Sequence, residues 1–210
     1  MILTSVSLHF TLAAPTSDPS LSQRSDAYKY QDPSDWLNQT FVLLGATDST
    51  WTPVNSMCLK STYMQMHKKQ FEHNVTYQGA TPLGKNQQVM AAQSLIIRIK
   101  VNSSKDAQTV LKIKEVNKAS KGQIQQYQLV LYAEPSCVIL GAFNQPYDKN
   151  PCMMFVPEEM TETVSPACRY ILLSQCQTPI YNAYEAEKDM CQGMEMLSNG
   201  KSLYEKGSGI

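Results

Sequence analysis

LIIRIKV, residues 95–101, is the stretch that decides the fold class of this 210-residue chain. Aliphatic side chains occupy every second position from Leu95 onwards, and Arg98 and Lys100 stand between them. A period of two places apolar side chains on one face of a β-strand and charged ones on the other. The same alternation returns in residues 110–116 and 124–133, so the pattern indicates an all-β protein whose strands each have one dry face.

Eight strands are predicted in total, from apolar runs separated by short linkers. The runs span residues 40–46, 58–67, 70–77, 89–101, 110–116, 124–133, 137–143 and 152–156. Short linkers rich in turn residues favour hairpins between antiparallel neighbours, because parallel strands need long crossovers. Eight such strands fit an up-and-down barrel that encloses one small ligand, and they fit a β-sandwich equally well.

Two short helices are expected beside the strands. Residues 25–37 read as one short N-terminal helix that breaks where Asp32 precedes Pro33. Near the other end, Ser165 is a good N-cap and Pro166 suits the first position of a helix, which closes before Pro179. We expect residues 192–210, rich in Gly, Ser and Lys, to form a flexible tail.

Composition limits the classes of protein that the chain can be. Apolar residues make up 42% and charged residues 17%, and 18 Lys and Arg balance 18 Asp and Glu. The length suits one domain, and the charge balance argues against a disordered chain, a nucleic-acid-binding surface and a polybasic membrane binder. Six cysteines without a CxxC pair or a His-Cys cluster favour disulfides in an oxidising compartment over a metal site.

The N-terminal sequence also points to secretion. Residues 1–14, MILTSVSLHFTLAA, are mostly apolar and end in small residues, and they are too few to span a bilayer, so we interpret them as a signal peptide. A start truncated by a few residues and a buried N-terminal strand are the alternatives. Three sequons, at Asn38, Asn74 and Asn102, are candidate glycosylation sites of a secreted chain.

No constellation in the sequence predicts catalysis. The histidines are His9, His67 and His73, and no G-x-S-x-G, HExxH, Cys-His or Gly-rich phosphate-binding motif accompanies them. His67 and His73 flank a predicted turn between two strands, where we expect them to face solvent rather than to bind a metal. The prediction is therefore a protein that is not an enzyme and that needs no cofactor.

Several short motifs carry a resemblance to a known family. They are Asp26-Ala27-Tyr28-Lys29, Ala46-Thr47-Asp48-Ser49-Thr50-Trp51 followed by Cys58, Cys137-Val138-Ile139, and Ala167-Cys168-Arg169-Tyr170 followed by Cys191. In their order and spacing, residues 25–191 resemble the tick salivary lipocalins, the histamine-binding family. The resemblance implies a single lipocalin domain, an eight-stranded antiparallel barrel with the C-terminal helix packed outside it.

The resemblance also implies two disulfide bridges, Cys58 with Cys191 and Cys137 with Cys168. Two cysteines, Cys152 and Cys176, are then left, and a bridge between them would tie the last strand to the helix. The alternative is a pair of free buried thiols, since six cysteines allow fifteen connectivities.

A pocket for a small amine has to supply an acid, because burying an ammonium group without a partner is costly. By resemblance, Asp48 pairs with the charge of the ligand, Trp51 stacks on it, and Asp26 is a second candidate acid near the entrance. The alternatives are an Asp that caps a turn, a Trp that fills the barrel mouth, and an Asp at a helix N-terminus.

One departure from the family bears on the ligand. Where the amine binders read Y-E-L-W-V on the last strand, this chain has C-M-M-F-V, so that Met153 replaces a glutamate and Phe155 a tryptophan. Such a pocket suits a lipid mediator, fatty acid or sterol better than a dication, although Met is also ordinary core packing. Tyr63 and Tyr127 are expected to add hydroxyl groups to the cavity.

The sequence leaves three hypotheses for the function. The first is a monomeric salivary protein that sequesters a biogenic amine such as histamine or serotonin, or a lipid such as a leukotriene, and so aids evasion of host defence. The second places the function on the outer surface, which would bind a host immune or clotting protein. The third is a disulfide-linked structural secretory protein with an incidental cavity. No nucleic-acid or membrane partner is expected.

Overall fold

The computed structural model describes residues 30–47, 57–84, 87–104, 107–116, 127–142 and 149–198. The strands are β1 (Phe41–Thr47), β2 (Met57–His67), β3 (Gln70–Gly84), β4 (Gln87–Ser104), β5 (Ala107–Glu115), β6 (Tyr127–Glu134), β7 (Cys137–Ala142), β8 (Cys152–Pro157) and β9 (Ile180–Asn182). The helices are α1 (Pro166–Gln175) and α2 (Ala183–Ser198), with short 3-10 helices at Trp36–Asn38 and Glu158–Met160.

Strands β1 to β8 form one closed antiparallel ring. Each strand pairs with the next along the chain, and β1 closes the ring by pairing with β8 on one edge and with β2 on the other. Consecutive antiparallel pairing joined by short connections is the up-and-down arrangement. The predicted barrel is therefore confirmed, and the sandwich that fitted the strand count is excluded.

Alternation along the strands divides the buried side chains into two clusters. The inward-facing cluster, which we call the barrel core, contains Leu95, Ile97 and Ile99 of the LIIRIKV stretch. The outer cluster lies between the barrel wall and α1, and includes Ile139 and Leu172. One strand face thus packs on the interior and the other faces solvent or a helix, as the period of two predicts.

Aromatic residues fill the end of the barrel where β1 begins. The Trp36 ring stacks on Phe41 at a centroid distance of 3.8 Å and lies 6.2 Å from Phe155. The expected N-terminal helix is represented among the described residues by the 3-10 helix Trp36–Asn38, which follows Pro33. This helix places Trp36 and Leu37 in the barrel core, so it closes that end of the barrel.

His73 lies in the barrel core and not at the surface, so the expectation that it faces solvent was wrong. It shares the inward parity of Phe71 and Val75 on β3 and has no exposed surface. Its Nε2 is 2.9 Å from the Leu37 carbonyl and its Nδ1 is 3.1 Å from the Ser61 hydroxyl. Burial lowers the pKa of His73 to about 4, so the ring is neutral at physiological pH and donates to Leu37 while accepting from Ser61.

Both helices pack on the outside of the barrel. Helix α1 begins as predicted, because the Ser165 hydroxyl accepts a hydrogen bond from the Cys168 N–H at 3.2 Å and Pro166 takes the first position. The sequence did not predict α2, which contacts β1 and β2 and continues past Gln192, where we expected the tail to begin. No helix in the described part of the chain is long and apolar enough to cross a bilayer.

Three disulfides fix these helices to the barrel. Cys58–Cys191 joins β2 to α2, Cys137–Cys168 joins β7 to α1, and Cys152–Cys176 joins β8 to the end of α1. All three pairings agree with the sequence analysis, and the alternative of two free thiols is excluded. A crosslink of this kind restricts the unfolded chain and contributes about 2–4 kcal/mol.

The three sequons differ in exposure. Asn38 and Asn102 are exposed, whereas Asn74 is half-buried within β3, where its Oδ1 accepts a hydrogen bond from the Ser94 hydroxyl at 2.6 Å. Glycan attachment stays a prediction. The predicted signal peptide, residues 1–14, lies outside the described residues.

The β2–β3 turn offers a test of backbone strain. Lys68 and Lys69 have φ angles of 48° and 61°, which a two-residue turn requires and which Asn and Gly adopt more easily than Lys. We expect Lys68→Asn with Lys69→Gly to raise the free energy of unfolding by about 1 kcal/mol. Urea unfolding measures the change, and an unchanged or lower midpoint would contradict the assignment.

His73 predicts a pH dependence of stability. The unfolded chain takes up a proton at His73 below about pH 6.5, whereas the folded chain does so only near pH 4. Stability is therefore complete above pH 6.5 and falls, by roughly 3 kcal/mol from this group, as the pH drops towards 4. The measurement is the slope of the free energy of unfolding against pH.

The matched variants are His73→Gln, which should lose this part of the slope, and His67→Gln, which should keep it. The comparison uses the slope of the free energy of unfolding against pH. It therefore remains valid even though His73→Gln lowers the stability at pH 7. Parallel slopes for all three proteins would show that His73 contributes nothing.

Candidate functional site

A cavity of about 510 Å³ lies where β1 and β2 separate. Among the described residues, this edge of β1 pairs with β2 at Phe41 and Val42 alone, and from Gly45 to Thr47 it pairs with β9 instead. Helix α2 follows β9 directly and covers the gap. The cavity is lined by Val42, Leu43, Cys58, Leu59, Lys60, Thr76, Tyr77, Gln78, Ala92, Gln93, Ser94, Glu158, Tyr184, Glu187, Lys188, Cys191 and Gln192.

The cavity connects the inside of the barrel with its surface. Leu43, Leu59 and Tyr77 belong to or pack against the barrel core, whereas Lys60 and Glu158 form an ion pair on the outside at 2.7 Å. Residues from both faces of the sheet therefore line one space. The space therefore adjoins both inward-facing side chains and the outer surface.

Helix α2 positions a carboxylate in this wall. Ala183, Glu187 and Cys191 are spaced four residues apart, so they lie on one face of the helix, and Ala183 packs into the barrel core. The Cys58 N–H donates to Glu187 Oε2 at 2.6 Å, and the Cys58–Cys191 disulfide is one helical turn away. Cys58 itself has a φ of 56°, a conformation that is unfavourable for a non-glycine residue. Two contacts from Cys58 therefore fix the position of Glu187.

Glu187 is the unusual group of the site. The residue is 6% exposed, and its Oε1 has no hydrogen-bond partner among the described residues. Burial raises the pKa of Glu187 above its usual range, although the hydrogen bond from the Cys58 N–H acts to lower it. A buried carboxylate with one unpartnered oxygen is costly unless something else pairs with it.

The two lysines that line the cavity already have partners. Lys60 Nζ lies 2.7 Å from Glu158, and Lys188 Nζ lies 2.7 Å from Glu185. Both pairs are partly exposed, so each is a weak surface interaction rather than a buried one. Both lysines are thus paired with carboxylates other than Glu187.

A chain of neutral hydrogen bonds lines another part of the cavity. The Tyr77 hydroxyl donates to Gln93 Oε1 at 2.9 Å, and Gln93 Nε2 donates to the Thr81 hydroxyl at 3.2 Å. Burial, with a smaller effect from Glu115, raises the pKa of Tyr77, so its hydroxyl keeps its proton. The site thus combines an apolar wall, neutral polar groups, two lysines and two carboxylates, of which Glu158 is already paired with Lys60.

Three of the predicted ligand residues lie inside the barrel. Phe155 belongs to the barrel core, and Tyr63 and Met153 pack against it. The Tyr63 ring lies 5.7 Å from His73. None of the three is among the described residues that line the cavity, so the structure brings them together in the packed core beyond it.

Tyr127 lies on the outer face, contrary to its expected place in the cavity. It is exposed, with Lys112 Nζ 5.5 Å above its ring. On β6 the buried positions that follow are Gln128 and Val130, and a strand alternates its sides at each residue. The sequence prediction was one residue out of phase.

The remaining predicted ligand residues, Asp26, Asp48 and Trp51, lie outside the described residues. Asp48 follows Thr47, the last residue of β1. Sequence reasoning missed Glu187, for which one signal existed: it precedes Cys191, a predicted disulfide cysteine, by one helical turn. That spacing places both residues on the same helix face.

Two groups of side chains resemble metal-ligand clusters in the described part of the chain. They are Cys58, Glu187 and Cys191, and Glu134, Cys137 and Cys168. In each group the two sulfurs are joined as a disulfide, and a metal needs thiolates. The carboxylate is then the single ligand left, so these groups do not fit a metal centre.

Comparison with protein families decides the relationship. The family model described as tick histamine binding protein matches residues 17–192. The chain belongs to the tick histamine-binding protein family. No curated protein gives a significant sequence match.

Solved structures that are similar to this chain include the following three. Japanin from Rhipicephalus appendiculatus, bound to cholesterol, matches with a TM-score of 0.52 and 12% identity, over 66% of this chain and 87% of Japanin. Apocrustacyanin C2 gives a TM-score of 0.46 at 11% identity, over 79% of this chain and 91% of that one. Lobster apocrustacyanin A1 gives 0.45 at 12% identity, with the same coverage. At such identities the likeness to Japanin shows the fold alone.

Proposed function

We propose that this member of the tick histamine-binding family is a secreted protein that captures a small mediator of host inflammation. The observation that carries the proposal is the 510 Å³ cavity, which opens through the gap between β1 and β2 and reaches the barrel core. Its volume is in the range of small-molecule sites, and such sites combine apolar walls with a few polar groups. Capture in the barrel would keep the mediator from its host receptors.

Secretion in saliva is supported by the covalent structure. Three disulfides persist in an oxidising compartment and are rare in the cytosol. The apolar residues 1–14 and the exposed sequons at Asn38 and Asn102 agree with the same route. A protein secreted in saliva would bind its ligand in host fluid and so aid evasion of host defence.

A biogenic amine such as histamine or serotonin is the first candidate ligand. An amine is small enough for the cavity, and its charge distinguishes it from the many neutral molecules in blood. The family resemblance favours this class, and Asp48 remains a proposed acid for it. The cavity wall contains a carboxylate as well as neutral hydrogen-bonding groups, which suits a polar, singly charged molecule.

A lipid is the second candidate, favoured by one observation in the barrel core. Trp36 Nε1 is buried, and it has no acceptor among the described residues. Its neighbours Phe155 and Phe41 are apolar, so the hydroxyl or carboxylate of a sterol or fatty acid would supply the missing acceptor. Replacement of the family glutamate by Met153 removes a charge that would oppose such a ligand.

The proposal is tested by native mass spectrometry of the secreted chain against histamine, serotonin, a leukotriene, a fatty acid and cholesterol. We expect a complex of one protein with one amine. Gln93→Trp should weaken it at least tenfold, because an indole at this half-buried position of the cavity lining, which shares the inward parity of Leu95 and Ile97, blocks the space. The matched control is Val89→Trp, an exposed residue of the same strand that is not among the described lining residues.

The other outcomes separate the alternatives. Binding of a lipid but of no amine would establish the second candidate. Loss of amine binding in Asp48→Asn would assign that residue its proposed role. Absence of binding to the whole panel would reject the proposal and would favour the surface hypothesis, in which a host immune or clotting protein is the partner.

A further inference from the structure

We infer that Glu187 on α2 receives the cationic group of the ligand, which is a small molecule with one protonated amine on an apolar body. This inference rests on the proposed function, since it names the chemistry of the ligand and the residue that selects it. The family resemblance placed this role on Asp48 and on the glutamate that Met153 replaces. Here the carboxylate comes from a helix outside the barrel.

The first argument is the missing partner of Glu187. Its Oε2 accepts from the Cys58 N–H at 2.6 Å, while its Oε1 is buried and has no partner among the described residues. Leaving a buried carboxylate oxygen unpaired costs more than a typical hydrogen bond contributes. Proteins rarely keep such a group without a reason, and a bound ammonium group, with three N–H donors, would pair with it.

The second argument is the charge balance of the cavity wall. The lysines that line the cavity, Lys60 and Lys188, each lie 2.7 Å from a different carboxylate, on Glu158 and Glu185. Within the described part of the chain, these two ion pairs leave Glu187 as the acid of the lining without a cation. A cationic ligand completes that balance, whereas an anionic ligand would add a second buried negative charge.

The third argument is that the carboxylate is held in place before a ligand arrives. The Cys58–Cys191 disulfide joins β2 to α2, one turn from Glu187, and the Cys58 N–H fixes one oxygen of the carboxylate. A group that is already positioned loses little freedom on binding, so more of the interaction energy is available for affinity. The left-handed backbone at Cys58 is a local cost that this arrangement explains.

The rest of the cavity fits the remainder of such a ligand. Leu43 and Leu59 supply an apolar wall, and the Tyr77 hydroxyl with the Gln93 amide supplies neutral polar contacts. A flat aromatic or imidazole body with one polar substituent matches these groups. One carboxylate suits one ammonium group, and a neutral lipid gains nothing from it.

The experiment compares an amine with its neutral analogue in wild-type protein and in Glu187→Gln. Calorimetry with serotonin and N-acetylserotonin is suitable, because acetylation removes the charge and keeps the ring. We expect wild-type protein to prefer serotonin by roughly tenfold or more, and Glu187→Gln to lose that preference. Gln keeps the shape of the side chain and can still accept from the Cys58 N–H.

Two further variants complete the test. Asp189→Asn is the matched control, because this residue lies on the same helix, is exposed and is not among the described lining residues. It should bind serotonin as wild-type protein does. Glu187→Asp keeps the charge on a shorter side chain and should retain part of the preference for the amine, with thermal unfolding confirming that each variant is folded.

The outcomes distinguish this inference from the proposed function. Equal binding of serotonin and N-acetylserotonin by wild-type protein would overturn the role of Glu187 and leave ligand capture in place. The same holds if folded Glu187→Gln keeps the wild-type preference, or if Asp189→Asn loses it equally. If wild-type protein binds no member of the panel, the proposed function itself fails, and the inference fails with it.

Discussion

The site depends on one constraint, which is that one edge of β1 pairs first with β2 and then with β9. A closed barrel requires β1 to pair with β2, and it does so at Phe41 and Val42, but from Gly45 onwards the same edge pairs with β9. The backbone groups of β1 thus remain paired while β2 diverges. A complete β1–β2 ladder would leave no gap, and α2 would have no route by which to place a side chain against the interior.

Because the β1–β2 ladder is short, other interactions have to stabilise the barrel. The end of the barrel near Trp36 is packed with aromatic rings and the buried His73, which is hydrogen-bonded on both nitrogens. At the gap, the Cys58–Cys191 disulfide closes a loop with a sequence separation of 133 and holds the helix that covers the opening. A long closed loop restricts the unfolded chain strongly, so the crosslink compensates where strand pairing is short.

The sequence predicted the barrel because its signal is local and repeated. Alternation in residues 95–101 and in the neighbouring strands fixes which side chains face inward, and the Ser165-Pro166 pair marks the start of α1. Family resemblance supplied two disulfide pairs, whereas the third, between Cys152 and Cys176, was left open against two free thiols until the structure showed it. Strand β9 was missed because three residues, Ile180–Asn182, are too few to show a period.

Other errors came from properties that no single segment encodes. The burial of His73 and the exposure of Tyr127 depend on the phase of β3 and β6 relative to the barrel interior, and a shift of one residue inverts the assignment. Glu187 lies in a polar helix that reads as part of the C-terminal region. Its burial is a consequence of the disulfide and of the β1 gap, so the sequence alone shows a glutamate near a cysteine and nothing more.

The position of the acid also affects how the core can be built. A carboxylate on β8 would have to be buried among aromatic side chains, where desolvation opposes its charged form. With Met153 and Phe155 on that strand, the barrel core packs as an apolar cluster around Trp36 and Phe41. A carboxylate on α2 instead lies at the edge of the core, where a backbone N–H supports it. Under the proposed assignment, the strands provide the packing of the core and helix α2 provides the group that selects the ligand. Substitutions on one face of α2 would then change the ligand while the barrel core stays the same.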